Sequence, residues 1–268
     1  MTRLAIMQPY FFPYIGYWQL MHAVDRFMIY DDVSYIRHGW INRNRILINA
    51  CPAYIIVPLH RASSNKRICD IDVHPASGWR DRLIKKLEIT YRRAPGYPEV
   101  FPVIERLIRH EAEKLSDYLA HQLRTLAAFM GIATEFVTSS RRHDDEHLSG
   151  QDRVLEICKR EGADTYINLQ GGQVLYDPRF FRSAGVDLRF LVMRPLPYKQ
   201  RAGPFIPYLS IIDALMEIGP AGLKEHLAAH DLIGGEIVPR TEVSREEQQS
   251  VARSITSCGQ ARDHLPIV

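Results

Sequence analysis

The chain has 268 residues, 46% of them hydrophobic, which is enough for one large domain or two modest ones with a sizeable core. Its 34 Lys and Arg nearly balance 31 Asp and Glu, so no global field points to a nucleic-acid coat or a membrane surface as partner. No apolar run reaches about 18 residues and no basic leader with a cleavage site precedes LAIM, so a cytoplasmic protein is expected. The four cysteines, Cys51, Cys69, Cys158 and Cys258, form no CxxC pair and are expected as reduced structural thiols.

In chain order, Leu4 to Met7 reads as a strand, Ile15 to Ala23 as a helix after a Pro-rich turn, and Arg26 to Tyr30 as a second strand ending on Asp31 and Asp32. Arg45 to Asn49 and Tyr54 to Leu59 flank an Ala50-Cys51-Pro52 break and predict a hairpin. Helical spacing follows at Trp79 to Tyr91, at Phe101 to His110 beyond an Ala-Pro-Gly-Tyr-Pro breaker, and at Ser116 to Met130 before a stop at Gly131. The pattern then alternates: strand at Thr134 to Val137, helix at Gln151 to Glu161, strand at Thr165 to Asn168, helix near Pro178 to Ser183, strand at Asp187 to Val192. Ser210 predicts the N-cap of a further helix, with Asp213 at capping-box spacing. Alternation of this kind predicts an α/β fold, a Rossmann-like mostly parallel sheet with helices on both faces, spanning residues 1–234 with a helical insertion at about 79–131. Residues 235–268 read as a polar, weakly patterned tail or peripheral extension.

In such a sheet the loops at the carboxyl ends of the strands form the ligand edge. Five clusters fall there or beside it. The loop after the first strand offers Gln8, Tyr10, Tyr14, Gly16 and Tyr17, in which prolines stiffen the turn, glycine permits close approach and an amide can bind a base or sugar. Asp31 and Asp32 end the second strand, where vicinal acids can hold hydroxyls or an ammonium, or act with His38 as candidate catalytic groups. In Trp40-Ile41-Asn42-Arg43-Asn44-Arg45 a stacking face stands beside two guanidinium forks suited to an anion, with Asn42 and Asn44 on the other face. Asn168, Gly171, Gly172 and Tyr176 form a polar loop whose backbone amides suit phosphate or carboxylate. Ser210 and Asp213 are explained by capping alone. His143-Asp144-Asp145-Glu146-His147 reads as a solvated charge run in preference to a metal box, so no metal site is expected.

Taken together, QPYFFPYIGYWQL, FMIYDDVSYIRHGWINRNRI, YINLQGG with LYDP, and FIPYLSIIDALMEIG resemble the WbqC-like family over about residues 3 to 230. That family is met in bacterial O-antigen and other surface-polysaccharide clusters, and the resemblance implies a protein of glycan metabolism. More distantly, the first motif is similar to the ATP-binding opening of nucleotidylyl transferases and pantothenate synthetase. Those carry a Gly-His pair where this chain has Gly16-Tyr17, which argues against adenylyl transfer by their constellation.

The expectation that results is an acyl- or aminoacyl-transferase, or amide-forming enzyme, acting on a nucleotide-linked amino sugar. If the acyl donor is an acid activated by ATP, then ATP with Mg²⁺ is required as cofactor. If it is aminoacyl-tRNA, a local basic groove is required, and the short basic run does not favour tRNA. A noncatalytic sugar-nucleotide binding protein and a nucleotidyltransferase are the alternatives. Sequence leaves the sugar, the donor and the oligomeric state open.

Overall fold

The computed structural model describes residues 1–234 except 76, 77, 138, 144, 195 and 202. Five parallel strands and one antiparallel edge strand form the central sheet. These are β1 (Arg3–Met7), β2 (Arg26–Ile29), β7 (Glu135–Val137), β8 (Thr165–Leu169), β9 (Asp187–Met193) and β10 (His230–Gly234), in the order β10-β9-β8-β1-β2-β7. Only β10 runs antiparallel, along β9. The chain builds rightward from β1 to β2 and β7, then returns to lay β8 and β9 on the other side of β1. The strand order therefore reverses between β1 and β8, the place where doubly wound sheets bind ligands.

Alternation along the strands sorts the side chains onto two faces. Ala5, Phe27, Ile167 and Leu191 join one core with α1 (Ile15–Ala23), α2 (Trp79–Tyr91), α3 (Tyr97–Arg109), α4 (Leu115–Phe129) and α7 (Ile211–Ala228). Leu4, Ile6, Met28, Val137, Tyr166, Leu188 and Phe190 join the other with α5 (Gly150–Arg160) and α6 (Pro178–Ser183). The α/β class with helices on both faces is as the alternation predicts. The helices of residues 79–131 share the first core with the sheet, so they pack as part of one body with it.

Helix α1 is buried on nearly every side, Gly16 to Met21 without interruption. It is trapped between the sheet and α7, so it needs no polar face and shows no amphipathic stripe. Helix α3 begins at Tyr97 and includes Pro98 in its first turn, where proline's missing N–H costs no helical bond. The expected breaker is thus partly a helix start, and Val100, Ile104, Leu107 and Ile108 form its buried stripe. The hairpin pairs β3 (Arg43–Ile48) with β4 (Cys51–Ile56). Its turn is Asn49 and Ala50, both at positive φ, the two-residue geometry that matches strand twist. The expected Ala50-Cys51-Pro52 break is therefore displaced: Pro52 lies within β4, tolerated because β4 has a partner on one side alone. Short strands β5 (Leu59–His60) and β6 (Asp72–Val73) pair beside it. Strand β10 and this small pair carry too few periodic residues to register in sequence. Cys69 and Cys158 are buried free thiols, as expected, whereas Cys51 is disulfide-bonded, against the expectation of a reduced thiol. The expected tail, with Cys258, lies outside the described residues. Among the described residues no helix is long and apolar enough to cross a membrane.

Candidate ligand-binding site

The loop after β1 is held open by its neighbours. Phe11 and Phe12, fully buried, plug the core beneath it, each contributing about 1.5–3 kcal/mol by burial. Phe12 sits at φ 42°, in the left-handed region a bulky residue leaves unless other contacts fix it. Those contacts are present: Gln122 Oε1 accepts from the Phe12 amide at 2.7 Å and Ser210 Oγ donates to the Phe12 carbonyl at 2.8 Å. Asn44 Nδ2 donates to the Phe11 and Phe12 carbonyls at 3.0 and 2.8 Å. Asn44, expected to contact a ligand, is thereby a buried clamp on this loop. Asn42 is also engaged, accepting from the Tyr35 hydroxyl at 2.7 Å and donating to the Val57 carbonyl at 2.9 Å. Tyr17 is wholly buried with its hydroxyl on the Gln8 carbonyl at 2.8 Å.

Gln8, Tyr10 and Tyr14 remain half-buried along the loop. Tyr10 lies 5.5 Å from the Tyr17 ring, and burial pushes its phenol up to about 12. Tyr14 covers Gly16 closely, since a Cβ there would stand 2.5 Å from the Tyr14 ring. Glycine is required for this contact.

Strand β3 is stitched to the loop by the Phe11 amide on the Trp40 carbonyl at 3.2 Å and by the Ser210 amide on the Arg45 carbonyl at 2.8 Å. This places Trp40 and Arg45 beside it. The two arginines expected to act alike differ. Arg43 lies over Tyr54 at 4.6 Å and donates to the Gly39 carbonyl at 3.2 Å and to the His38 carbonyl. Arg45 is 5% exposed, its Nε is shut from solvent without an acceptor, and its guanidinium joins no ion pair among the described residues. Its sole attractive contact of this kind is the Trp40 ring, 5.4 Å away, worth about 0.5–2 kcal/mol. Desolvation first, and Arg43 nearby, push its pKa below the ordinary arginine value against the opposing pull of Tyr54. Arginine stays charged in proteins, so this is a buried cation without an anion.

Across the strand-order reversal lies the loop after β8. Asn168 donates to the Tyr166 hydroxyl at 3.0 Å and accepts from the Leu169 amide at 2.7 Å. Gly172 packs on it so closely that a Cβ would meet Asn168 Nδ2 at 2.9 Å. Gly171 is exposed. Tyr176 meets Tyr166 hydroxyl to hydroxyl at 3.3 Å, and burial raises its pKa. Gln173, which sequence reasoning passed over, has both amide atoms buried without a partner. Its position just after Gly171-Gly172 was the available signal.

Asp31 and Asp32 stand one strand away from the reversal and are both occupied. Asp32 accepts from Arg153 at 2.5 Å and from Ser140 Oγ, and Arg153 also donates to Asp145 at 2.8 Å while lying 5.1 Å from the Tyr30 ring. Asp31 accepts from Ser139 Oγ at 2.6 Å and lies 3.2 Å from Arg141. Burial is the largest cause raising the Asp31 pKa, opposed by Ser139 and Arg141. Asp145, expected in a solvated run, is fully buried, because Arg153 gives it a partner that the local sequence does not reveal. His143 likewise bonds Glu161 at 2.7 Å. Asp144 lies outside the described residues, and no group of three metal-ligating side chains occurs among those that are described. His38 is exposed at φ 63°, and its ring makes no hydrogen bond to the described residues. Asp213 does not cap α7: it is buried and accepts from Tyr91 and Tyr198 at 2.8 Å and Gln200 at 3.1 Å. Ser210 alone does the capping, toward Ile212.

Strand order, with polar loops at its reversal, makes this a doubly wound, Rossmann-like α/β protein whose candidate site lies between the loops after β1 and β8. The chain belongs to the WbqC-like protein family, whose model matches residues 8–225. It is also similar to the uncharacterized protein Rv1507c of Mycobacterium tuberculosis, 27% identical over 223 residues that cover 82% of this chain and 95% of the relative.

Proposed function

We propose that the protein is an enzyme of bacterial surface-glycan biosynthesis that joins an acyl or aminoacyl group to the amine of a nucleotide-linked amino sugar. The observation that carries this reading is Arg45: a buried guanidinium without an anion is costly to keep unless something it binds supplies the charge. The phosphates of a sugar nucleotide would do so, with Trp40 as a stacking face and the unpartnered Gln173 amide as a polar contact on the other side. In the reaction the amine nitrogen attacks the acyl carbonyl carbon, the bond to the leaving oxygen breaks with its electrons, and the ammonium proton passes to a base. Of the groups expected for that role, Asp32 is committed to Arg153 and Asp31 to Ser139 and Arg141. His38, exposed two residues before Trp40, is the better placed.

Incubation of the purified protein with ATP, amino acids and UDP- or dTDP-amino sugars, followed by mass spectrometry, should reveal a new amide. Aminoacyl-tRNA replaces ATP in a parallel arm. The engagement of both strand-end carboxylates favours a second reading, a protein that holds a sugar nucleotide for a partner enzyme. Saturable sugar-nucleotide binding with no amide from any donor would select that second reading over the first.

A further inference from the structure

A small cavity lies between α1, α7 and the segment that follows β9, outside the residues discussed so far. Ile15, Leu196, Phe205 and Tyr208 are among its apolar walls, and Gln19 and His226 are its polar lining. It offers about 40 Å³ to the centres of water-sized groups, where roughly 10–15 Å³ holds one water. About three such groups fit.

Both polar groups present unused acceptors, and neighbouring bonds fix which atom is which. Gln19, 1% exposed, donates from Nε2 to the His226 carbonyl at 2.7 Å and the Ala229 carbonyl at 2.9 Å. Two carbonyl partners require the nitrogen there, so the amide cannot be flipped and Oε1 is the atom left buried without a donor. His226 Nδ1 lies 3.1 Å from the Gly222 carbonyl, which makes Nδ1 the protonated nitrogen of the neutral ring. Nε2 then carries a lone pair, and it too is buried without a partner. Leaving two acceptors unsatisfied in an apolar cavity costs about what two lost hydrogen bonds cost.

We propose that this cavity is the pocket for a short acyl group, of three or four non-hydrogen atoms, that carries a hydroxyl or amino donor directed at Gln19 Oε1 and His226 Nε2. This inference rests on the acyl-transfer reading for its occupant. Tyr208, in the cavity wall, meets Tyr14 of the loop after β1 at 5.8 Å, so the pocket adjoins the candidate site. A plain fatty acyl group would leave both acceptors bare. A carboxylate would be repelled by them.

The test needs no turnover. Methyl lactate and alanine methyl ester, whose ester ends lack donors, should bind the full-length protein saturably in ligand-observed NMR and compete with each other. Methyl 2-fluoropropanoate, the same size without the donor, should bind at least about tenfold more weakly. Binding of methyl lactate should also shift the ¹⁵N resonance of His226 Nε2, and His226→Phe should weaken it by a similar factor. The resonance shift needs no variant, so a misfolded substitution leaves the test intact. Equal binding of the fluoro ester, or no saturable binding of either donor ester, overturns the assignment and leaves the cavity to water. Ester binding without amide formation in the turnover assay would retain the pocket as a hydroxyl- or amino-group site and remove the transfer reading alone.

Discussion

Arg45 and Arg153 are both buried arginines stacked near an aromatic ring, yet they occupy opposite electrostatic situations. Arg153 has Asp32 and Asp145 within hydrogen-bond distance and Tyr30 beneath it. Arg45 has Trp40 and nothing anionic. Buried charge is tolerated when paired, so the first arrangement is explained by folding: it ties the β2 end to α5 and to the segment after β7. The second is unexplained by folding, which is why it serves as the better pointer to a ligand. The same contrast demotes the vicinal acids, whose prominence in sequence reflects an ion-pair network.

Substitution of each arginine should separate the two roles. Arg153→Met strands two buried carboxylates and should cost about 3–5 kcal/mol in unfolding free energy, the largest effect anticipated for a point change at these sites. Urea denaturation measures it, and a loss under about 1 kcal/mol would mean that the network is looser than the distances indicate. Arg45→Met should leave unfolding free energy unchanged or raised by up to about 2 kcal/mol, since an unpaired buried cation is removed. Its binding of a UDP- or dTDP-amino sugar should weaken by about 1.5–3 kcal/mol, read by calorimetry. Arg43→Ala should affect binding less, because Arg43 spends its donors on the His38 and Gly39 carbonyls. If Arg43 proves the stronger determinant, the comparison is broken.

The fold was largely legible because it rests on local periodicity. The bounds of α1 and α6 agree with those read from spacing, and the strand-helix alternation after Gly131 yields a parallel sheet as expected. What sequence could not show was pairing across distance. Asn44 looked like a ligand contact because nothing nearby predicts that it reaches back 33 residues to the Phe11 carbonyl. Asp145 looked solvated because its partner lies eight residues on, on the buried side of α5. Gln19 and His226 lie 207 positions apart and carried no motif. Arg45 and Trp40 were readable, since stacking faces and guanidinium forks are adjacent in the chain, but not the difference between Arg45 and Arg43.

Asp213 gives the comparison a third case and its smallest test: a buried carboxyl surrounded by donors but no hydrogen-bonded cation. Burial is the largest cause raising its pKa, opposed by Tyr91, Tyr198, Gln200 and more weakly by Arg201, which is itself paired with Glu217 at 2.9 Å. A carboxyl raised in the folded state binds its proton more readily there than in the unfolded chain. Its contribution to stability is therefore fully present below the unfolded pKa and is lost as pH rises through the folded one. Asp213→Asn cannot ionise, so subtracting its unfolding free energy from that of the unsubstituted protein isolates this group, with an offset of about 1 kcal/mol for altered hydrogen bonds. The difference should favour the unsubstituted protein most at the acidic end of a urea series from about pH 4 to 7 and shrink as pH rises. A difference that grows with pH would show that three neutral donors suffice to stabilise the charged form, and pairing with a cation would cease to be what separates the Asp32 site from the rest.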